Sequence, residues 1–357
     1  MNAMKQILSD DFPRNRWLGL ILVVIFFGLA FAPFITSGAR PLNTAATICV
    51  YIVLVASYDL LLGYTGIVSF AHTMFFGIGA YGIGLALASG TPSWGLAAVG
   101  LLAALLVTLV LALIVGLFAL RVRAIFYAMI TLAVASSFAV LASQLSDFTG
   151  GEDGKTFSVP ALLSPAYRLF ENEIFGRVVD GKVITYYIVF IGCALLFLFL
   201  LRIVNSPFGR VLQAIRENDF RAEALGYRTV YYRILANCIA ALVAAMAGAL
   251  MALWLRYVGP KTMLSFEVMT DILLIVVIGG MGTMYGAVVG ATLFILAQNY
   301  LKSLMGVASS SLVDVPLLAN ALHPDRWMLW LGVLFVVSIY FFPAGIVGKL
   351  RGSGLKN

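Results

Sequence analysis

Apolar runs of membrane-crossing length follow one another along almost the whole chain, broken only by short clusters of charge and glycine. They fall at about 17–35, 43–62, 70–89, 95–120 and 124–142, and again at about 184–204, 231–257, 265–280, 285–304 and 327–342. About 20 apolar residues in α-helix span the hydrocarbon core, where a backbone must satisfy its own hydrogen bonds. Ten such runs leave no room for an ordinary water-soluble core. The composition agrees, with 62% hydrophobic and 11% charged residues, against about 25% charged in soluble domains. The expectation is an all-α integral membrane protein of about ten transmembrane helices, forming a single domain over residues 1–357.

The net charge of +7 reads as topology rather than nucleic-acid binding, because Lys and Arg collect in short cytoplasmic loops. With the N-terminus inside, the inner segments hold Arg121 and Arg123, the stretch Arg202 to Arg233, and Lys349, Arg351 and Lys356. The stretch 143–183 is then an external loop, whose acids Asp147, Glu152, Asp153, Glu171, Glu173 and Asp180 outnumber Lys155, Arg168, Arg177 and Lys182. Lys5, Arg14 and Arg16 before an apolar run also describe a signal peptide. Because many spans follow, the first helix is expected to be retained. Cys49, Cys193 and Cys238 lie singly inside apolar runs and the only histidines are His72 and His323. That pattern excludes a disulfide scaffold and a zinc site.

Glycine interrupts the helical pattern twice. Gly63-Tyr64-Thr65-Gly66 leads to Ser69-Phe70-Ala71-His72 and Gly77, Gly79, Gly82 and Gly84, and Gly279-Gly280-Met281-Gly282 leads to Gly286 and Gly290. Both are expected as glycine-rich hairpins on the cytoplasmic side. Each follows an acid that opens an apolar stretch, Asp59-Leu-Leu-Leu and Asp271-Ile-Leu-Leu, a pattern consistent with a weak internal repeat. Gly282, Gly286 and Gly290 stand four apart and would form a smooth ridge for close helix packing or for sliding during gating. Asp59, His72, Glu267 and Asp271 are the ionisable groups in or near spans, where a charge facing lipid costs at least about 2.5 kcal/mol. They should face a cavity, a partner or water. Four scattered sites near helix ends make a poor proton relay, and no paired carboxylate or Cys/His set suggests an enzyme.

The segment 205–230 is basic, hydrophilic and longer than a connection requires. Ser206 can cap a helix with Pro207 at its first position, and Phe208, Val211, Leu212 and Ile215 recur on one helical face. Asp219 can cap a second turn, and Gly226 can end it in the left-handed conformation. Composition leaves two readings open: a helix resting on lipid headgroups, and a docking element for a soluble partner.

Five segments resemble one family, the permease subunits of branched-chain amino-acid ABC importers, in their M-type (LivM-like) form. Gly63 to Leu85, GYTGIVSFAHTMFFGIGAYGIGL, is similar to that family's GYxGxxSxGHxxFFGIGAY signature. Arg121 to Ala135 resembles RLRGxYFAMxTLA, Thr149 to Gly154 resembles an external TGGxxG loop, Ser206 to Gly226 resembles SPFGRxxxAIRExxxxAEALG, and Ile278 to Gly290 resembles IGGxGxxxGxxxG. Ala71 stands where the family usually has glycine, and Glu152 where a small polar residue is common.

The resemblance implies a permease of the LivHM/ribose-permease type in the bacterial inner membrane. It would work with a homologous second permease, two ATP-binding subunits and a periplasmic substrate-binding protein. The chain holds no GxxxxGK[ST] phosphate loop and cannot be the ATPase, so no cofactor is expected in it and ATP would be bound by the partners. Arg216, Glu217, Ala222, Glu223, Ala224 and Gly226 would couple to an ATPase, with Arg216 and Glu217 at the rim of its groove and Glu223 projecting from a small-residue surface. Candidate translocation-path and hairpin residues are Asp59, Gly63, Tyr64, Gly66, His72, Gly77, Gly79, Asp271, Gly279, Gly280, Gly282 and Gly286. Thr149, Gly150, Gly151 and Gly154 would form the external loop. Branched-chain or related small amino acids are the expected substrates. Urea, amides or small organic acids, and an ion-gradient-driven carrier, are the alternatives.

Overall fold

The computed structural model describes residues 16–35, 38–119, 124–165, 167–168, 179–311, 323–342 and 344–353. Arg121, Arg123, Glu171, Glu173, Arg177, Lys356 and the leading cluster Lys5 and Arg14 lie outside them. The helices begin and end close to where the apolar runs do. They are α1 (Arg16–Ala30), α2 (Ala39–Thr65), α3 (His72–Ala88), α4 (Trp94–Ala119) and α5 (Ala124–Gln144). A strand β1 (Lys155–Thr156) precedes α6 (Gly181–Val204), α7 (Pro207–Glu217), α8 (Asp219–Ala224) and α9 (Thr229–Leu255). The chain continues through β2 (Tyr257–Val258), α10 (Phe266–Gly279), α11 (Met284–Ser311), α12 (Trp327–Phe341) and α13 (Gly345–Ser353).

Seven helices among the described residues are long and apolar enough to cross a membrane: α2, α4, α5, α6, α9, α11 and the stretch Pro260–Gly279 that contains α10. This is fewer than the ten expected. The remaining runs form α1, α3 and α12, of 15, 17 and 15 residues, and at 1.5 Å per residue each reaches only about 22–26 Å. The shortfall has local causes, since α1 ends just before Phe31 and α3 cannot start until the chain has turned after Gly66.

α2 is the axis of the bundle. Its crossing segment is 89% buried, whereas those of α4 and α5 are 28% and 22% buried and present Leu102, Leu106, Phe126 and Met129 outward. A helix apolar on every face is one surrounded by protein or lipid. α9 lies against α2, α3, α4 and α6, and α11 lies against α2 and α10. The α3–α9 crossing is the tightest, because a Cβ on Gly79 would strike the Ala245 carbonyl and one on Gly248 the Phe76 carbonyl. Small residues let two backbones approach where lipid offers no hydrophobic force between helices.

Candidate functional site

The site starts from two helix ends. α2 stops at Gly66, whose φ of 73° is left-handed and whose N–H donates to the Leu61 carbonyl. α10 stops before Gly280 at φ 116°, and Gly282 follows at φ 77°. Glycine alone visits such angles without a Cβ penalty. Thr283 Oγ1 donates to the Gly280 carbonyl at 2.6 Å and closes the second turn before α11 begins.

The fold brings these two turns into contact. Asp59, 2% exposed on the last turns of α2, accepts the Gly282 N–H on Oδ1 at 2.9 Å. No Cβ fits on Gly63, which lies against the Asp59 carboxylate and the Gly282 nitrogen. A Cβ on Gly282 would sit 3.0 Å from the Gly63 carbonyl and 2.8 Å from Arg216 Nη1. Arg216, on the last turn of α7, donates through Nη1 to the Gly63 carbonyl. Its Cγ lies 3.4 Å from where a Cβ on Gly66 would be. One guanidinium and one buried carboxylate therefore bracket a glycine joint made from both helix breaks.

The remaining expected path residues divide. Gly279 and Gly286 face each other across α10 and α11, and Gly290 lies against the Ile275 carbonyl, with no space for a side chain at Gly279 or Gly286. Spacing placed Gly282 in that ridge, but it lies outside it, because it sits in the turn before α11 starts. Gly77 packs on Leu264 and Gly79 on α9, and Tyr64 is buried. His72 is fully buried with Nε2 2.8 Å from Ser57 Oγ, which itself donates to the Leu54 carbonyl, and its ring stands edge-on to Tyr58 at 5.2 Å. That is a packing histidine. Asp271 does not mirror Asp59: it lies beside Gln298, whose Nε2 is 3.5 Å from Oδ2, away from both turns. Among the described residues no group of three or more His, Cys, Asp or Glu side chains could hold a metal ion.

The connector between α6 and α9 is held on the bundle by its own apolar face, with Leu212 and Ile215 buried and Phe208 stacked on Tyr232 at 5.7 Å. Several local roles differ from those expected. Ser206 occupies the N-cap but turns its hydroxyl to the Ile203 carbonyl. Asn218, rather than Asp219, caps α8 by accepting the Arg221 N–H at 2.9 Å, which frees Asp219 to pair with Arg233 at 3.0 Å. Arg216 is exposed and at the same time reaches the glycine joint. Glu223 is exposed, and its Oε1 accepts the Thr229 hydroxyl at 2.8 Å at the start of α9. Ala222 is buried, whereas Glu217, Ala224 and Gly226 are exposed. Gly226 turns at φ 89° as expected. Beside them the connector exposes Phe220 and Leu225, at 81% and 72%. Thr229 and Arg233 were not singled out by the sequence because nothing near them in the chain marks their partners.

The far end of the bundle carries the TGGEDG segment. Thr149 Oγ1 donates to the Leu145 carbonyl at 2.7 Å and accepts the Gly151 N–H at 3.2 Å, while Gly150, Gly151 and Gly154 all take positive φ. β1 then pairs antiparallel with β2, Lys155 opposite Val258 and Thr156 opposite Tyr257. Tyr257 donates its hydroxyl to the Asp153 carbonyl at 2.9 Å. What the sequence presents as an open loop is, in its described part, a strap tying the end of α5 to the end of α9. The Lys261–Glu152 pair at 3.9 Å is almost fully exposed and contributes about 0–1 kcal/mol.

Comparison with known proteins adds what geometry cannot. The chain is 26% identical over 346 residues to the high-affinity branched-chain amino acid transport system permease protein LivM of Escherichia coli, covering 93% of this chain and 75% of that one. It is 26% identical over 340 residues to the protein of the same description from Salmonella typhimurium, covering 89% and 72%. It is 25% identical over 222 residues to the probable branched-chain amino acid transport permease protein LivM of Methanocaldococcus jannaschii, covering 60% and 58%. No solved structure gives a significant match. Residues 40–339 match the family model described as branched-chain amino acid transport system / permease component, and the chain, a multi-pass membrane protein, belongs to that family.

Proposed function

We propose that this chain is the translocating subunit of an ATP-driven importer for branched-chain or related small amino acids, in the bacterial inner membrane. It forms one transmembrane domain that crosses with ten helices, the shorter α1, α3 and α12 completing the set. It pairs with a homologous permease, takes substrate from a periplasmic binding protein at the strap end, and is driven from the connector end by two ATP-binding subunits. The chain itself carries out no covalent chemistry and holds no cofactor.

The observation that carries this reading is the Arg216–Gly63 hydrogen bond. It joins a surface helix, the kind of element an ATPase could grip, to the joint where the buried helix α2 and the half-buried helix α10 break. Closure of the ATPases on the connector would shift α7, and the guanidinium would carry that shift to Gly63 and, through Gly282, to Asp59. Glycine turns without side chains are the places where such a bundle can hinge, since packed cores pass between discrete arrangements rather than deform continuously. Alternating access of this kind needs no titrating relay within the spans.

The test is uptake into proteoliposomes holding this permease with its partner permease, ATPases and binding protein. Leucine, isoleucine or valine uptake that requires internal ATP and binding protein supports the reading. Uptake driven by an ion gradient with the permease alone rejects it.

A further inference from the structure

A cavity of about 610 Å³ lies between α10, α11 and α12, apart from the glycine joint. Its volume is that of a small-molecule site. Its walls are strongly unequal. Glu267, Thr270 and Asp271 project into one end from successive turns of α10, joined by Gln298 of α11 and Trp327 of α12. Leu274, Ile278, Leu293, Phe294, Leu331 and Phe335 form most of the rest.

Among the described residues the polar end carries no counter-charge. Among the described residues no Lys, Arg or His lines the cavity and neither carboxylate takes part in an ion pair. The contact Asp271 makes with Gln298, at 3.5 Å, is long for a hydrogen bond. Glu267 is exposed in the first turn of α10, whereas Asp271 is half-buried, and a carboxylate at membrane depth faces a partner or a water-filled path. An indole beside two acids adds a face that attracts a cation. A cationic head with an aliphatic body complements both ends of the cavity.

We propose that this cavity is a substrate subsite, in which Glu267 and Asp271 receive the ammonium group of an amino acid and the apolar wall receives its branched side chain. The proposal rests on the importer reading above for the choice of substrate. The amino acid's carboxylate then points away from Glu267 and Asp271, as its like charge requires. Specificity at this subsite would favour amines with short branched chains over the corresponding acids.

The experiment uses the full-length chain in lipid nanodiscs with Ala297→Cys on the cavity wall, the native cysteines being buried and giving the labelling blank. The rate of maleimide labelling is measured with leucine, with 3-methylbutylamine, which lacks the carboxylate, and with 4-methyl-2-oxopentanoate, which lacks the ammonium. Leucine and the amine should slow labelling by roughly tenfold at about ten times their dissociation constants, and the oxo acid should not. Asp271→Asn, which keeps the shape and the Gln298 contact, should abolish the protection, and Glu267→Gln provides the same test if that variant is not stable. Equal protection by the oxo acid, protection by sodium ions alone, or no protection at any concentration would overturn the proposal. A reconstituted importer that takes up leucine while the thiol stays unprotected rejects only the subsite, whereas one that takes up no amino acid rejects the importer reading itself.

Discussion

Asp59 Oδ1 accepts the backbone N–H of Gly282 at 2.9 Å, across 223 residues of chain. An unpaired buried N–H costs about 1–3 kcal/mol. Asp59→Ala should therefore lower the stability of the purified permease by that amount, read as a lower thermal unfolding midpoint. Asp59→Asn, whose side-chain carbonyl can still accept, should recover most of the loss. Equal midpoints for the alanine variant and the wild type would mean that the contact contributes nothing.

The glycine joint should tolerate no side chain. Gly63→Ala places a Cβ against the Asp59 carboxylate and the Gly282 nitrogen, and Gly286→Leu meets the Gly279 backbone. Both should cut folded yield or transport severely while leaving membrane insertion intact, since insertion depends on the apolar runs. Gly28→Ala, with nothing within 4 Å, serves as the neutral control. Normal transport by Gly286→Leu in vesicles would show that α10 and α11 separate at this point.

Arg216 links connector and bundle through one guanidinium hydrogen bond. Arg216→Ala should insert and assemble, yet show ATP hydrolysis that no longer responds to substrate and uptake reduced by about tenfold or more, equivalent to the loss of about 1.4 kcal/mol or more. Arg216→Lys should fall between, because its ammonium lacks the planar fork. Unchanged substrate-stimulated hydrolysis in the alanine variant would assign coupling to another contact.

Glu223 and Thr229 share one hydrogen bond between α8 and α9, so their substitutions should not add. Glu223→Ala and Thr229→Val should each destabilise by about 1 kcal/mol, and the double variant by little more than either alone. Gly226→Val should be worse than Glu223→Ala, because Gly226 sits at φ 89°, where an ordinary side chain costs roughly 1–2 kcal/mol and a β-branched one more. Fully additive losses in the double-variant cycle would separate Glu223 from Thr229.

Sidedness follows from charge. Cysteine placed at Glu152 should react with an impermeant thiol reagent from outside the cell, and cysteine placed at Asn218 only from inside. Labelling of both from the same side would reject the ten-helix arrangement.

The sequence by itself determined the all-α fold class and roughly where its helices lie. Apolar run length and glycine are local signals: a backbone in lipid has to pair within its own segment, and a left-handed turn such as Gly66, Gly226 or Gly282 accepts little but glycine. The runs at 43–62 and 285–304 accordingly became Ala39–Thr65 and Met284–Ser311. What the sequence could not show is which breaks meet. Asp59 and Asp271 open matching apolar stretches, yet only Asp59 holds the opposite turn, while Asp271 faces a cavity. Arg216 and Glu223 read as outward contacts and both are exposed, yet one also bonds to Gly63, 153 residues away, and the other to the Thr229 hydroxyl at the start of α9. Those assignments come from packing α2, α9 and α10 together. In a chain so uniformly apolar the pattern says that a face is buried, but only the three-dimensional arrangement selects the polar atom that pairs with another across it.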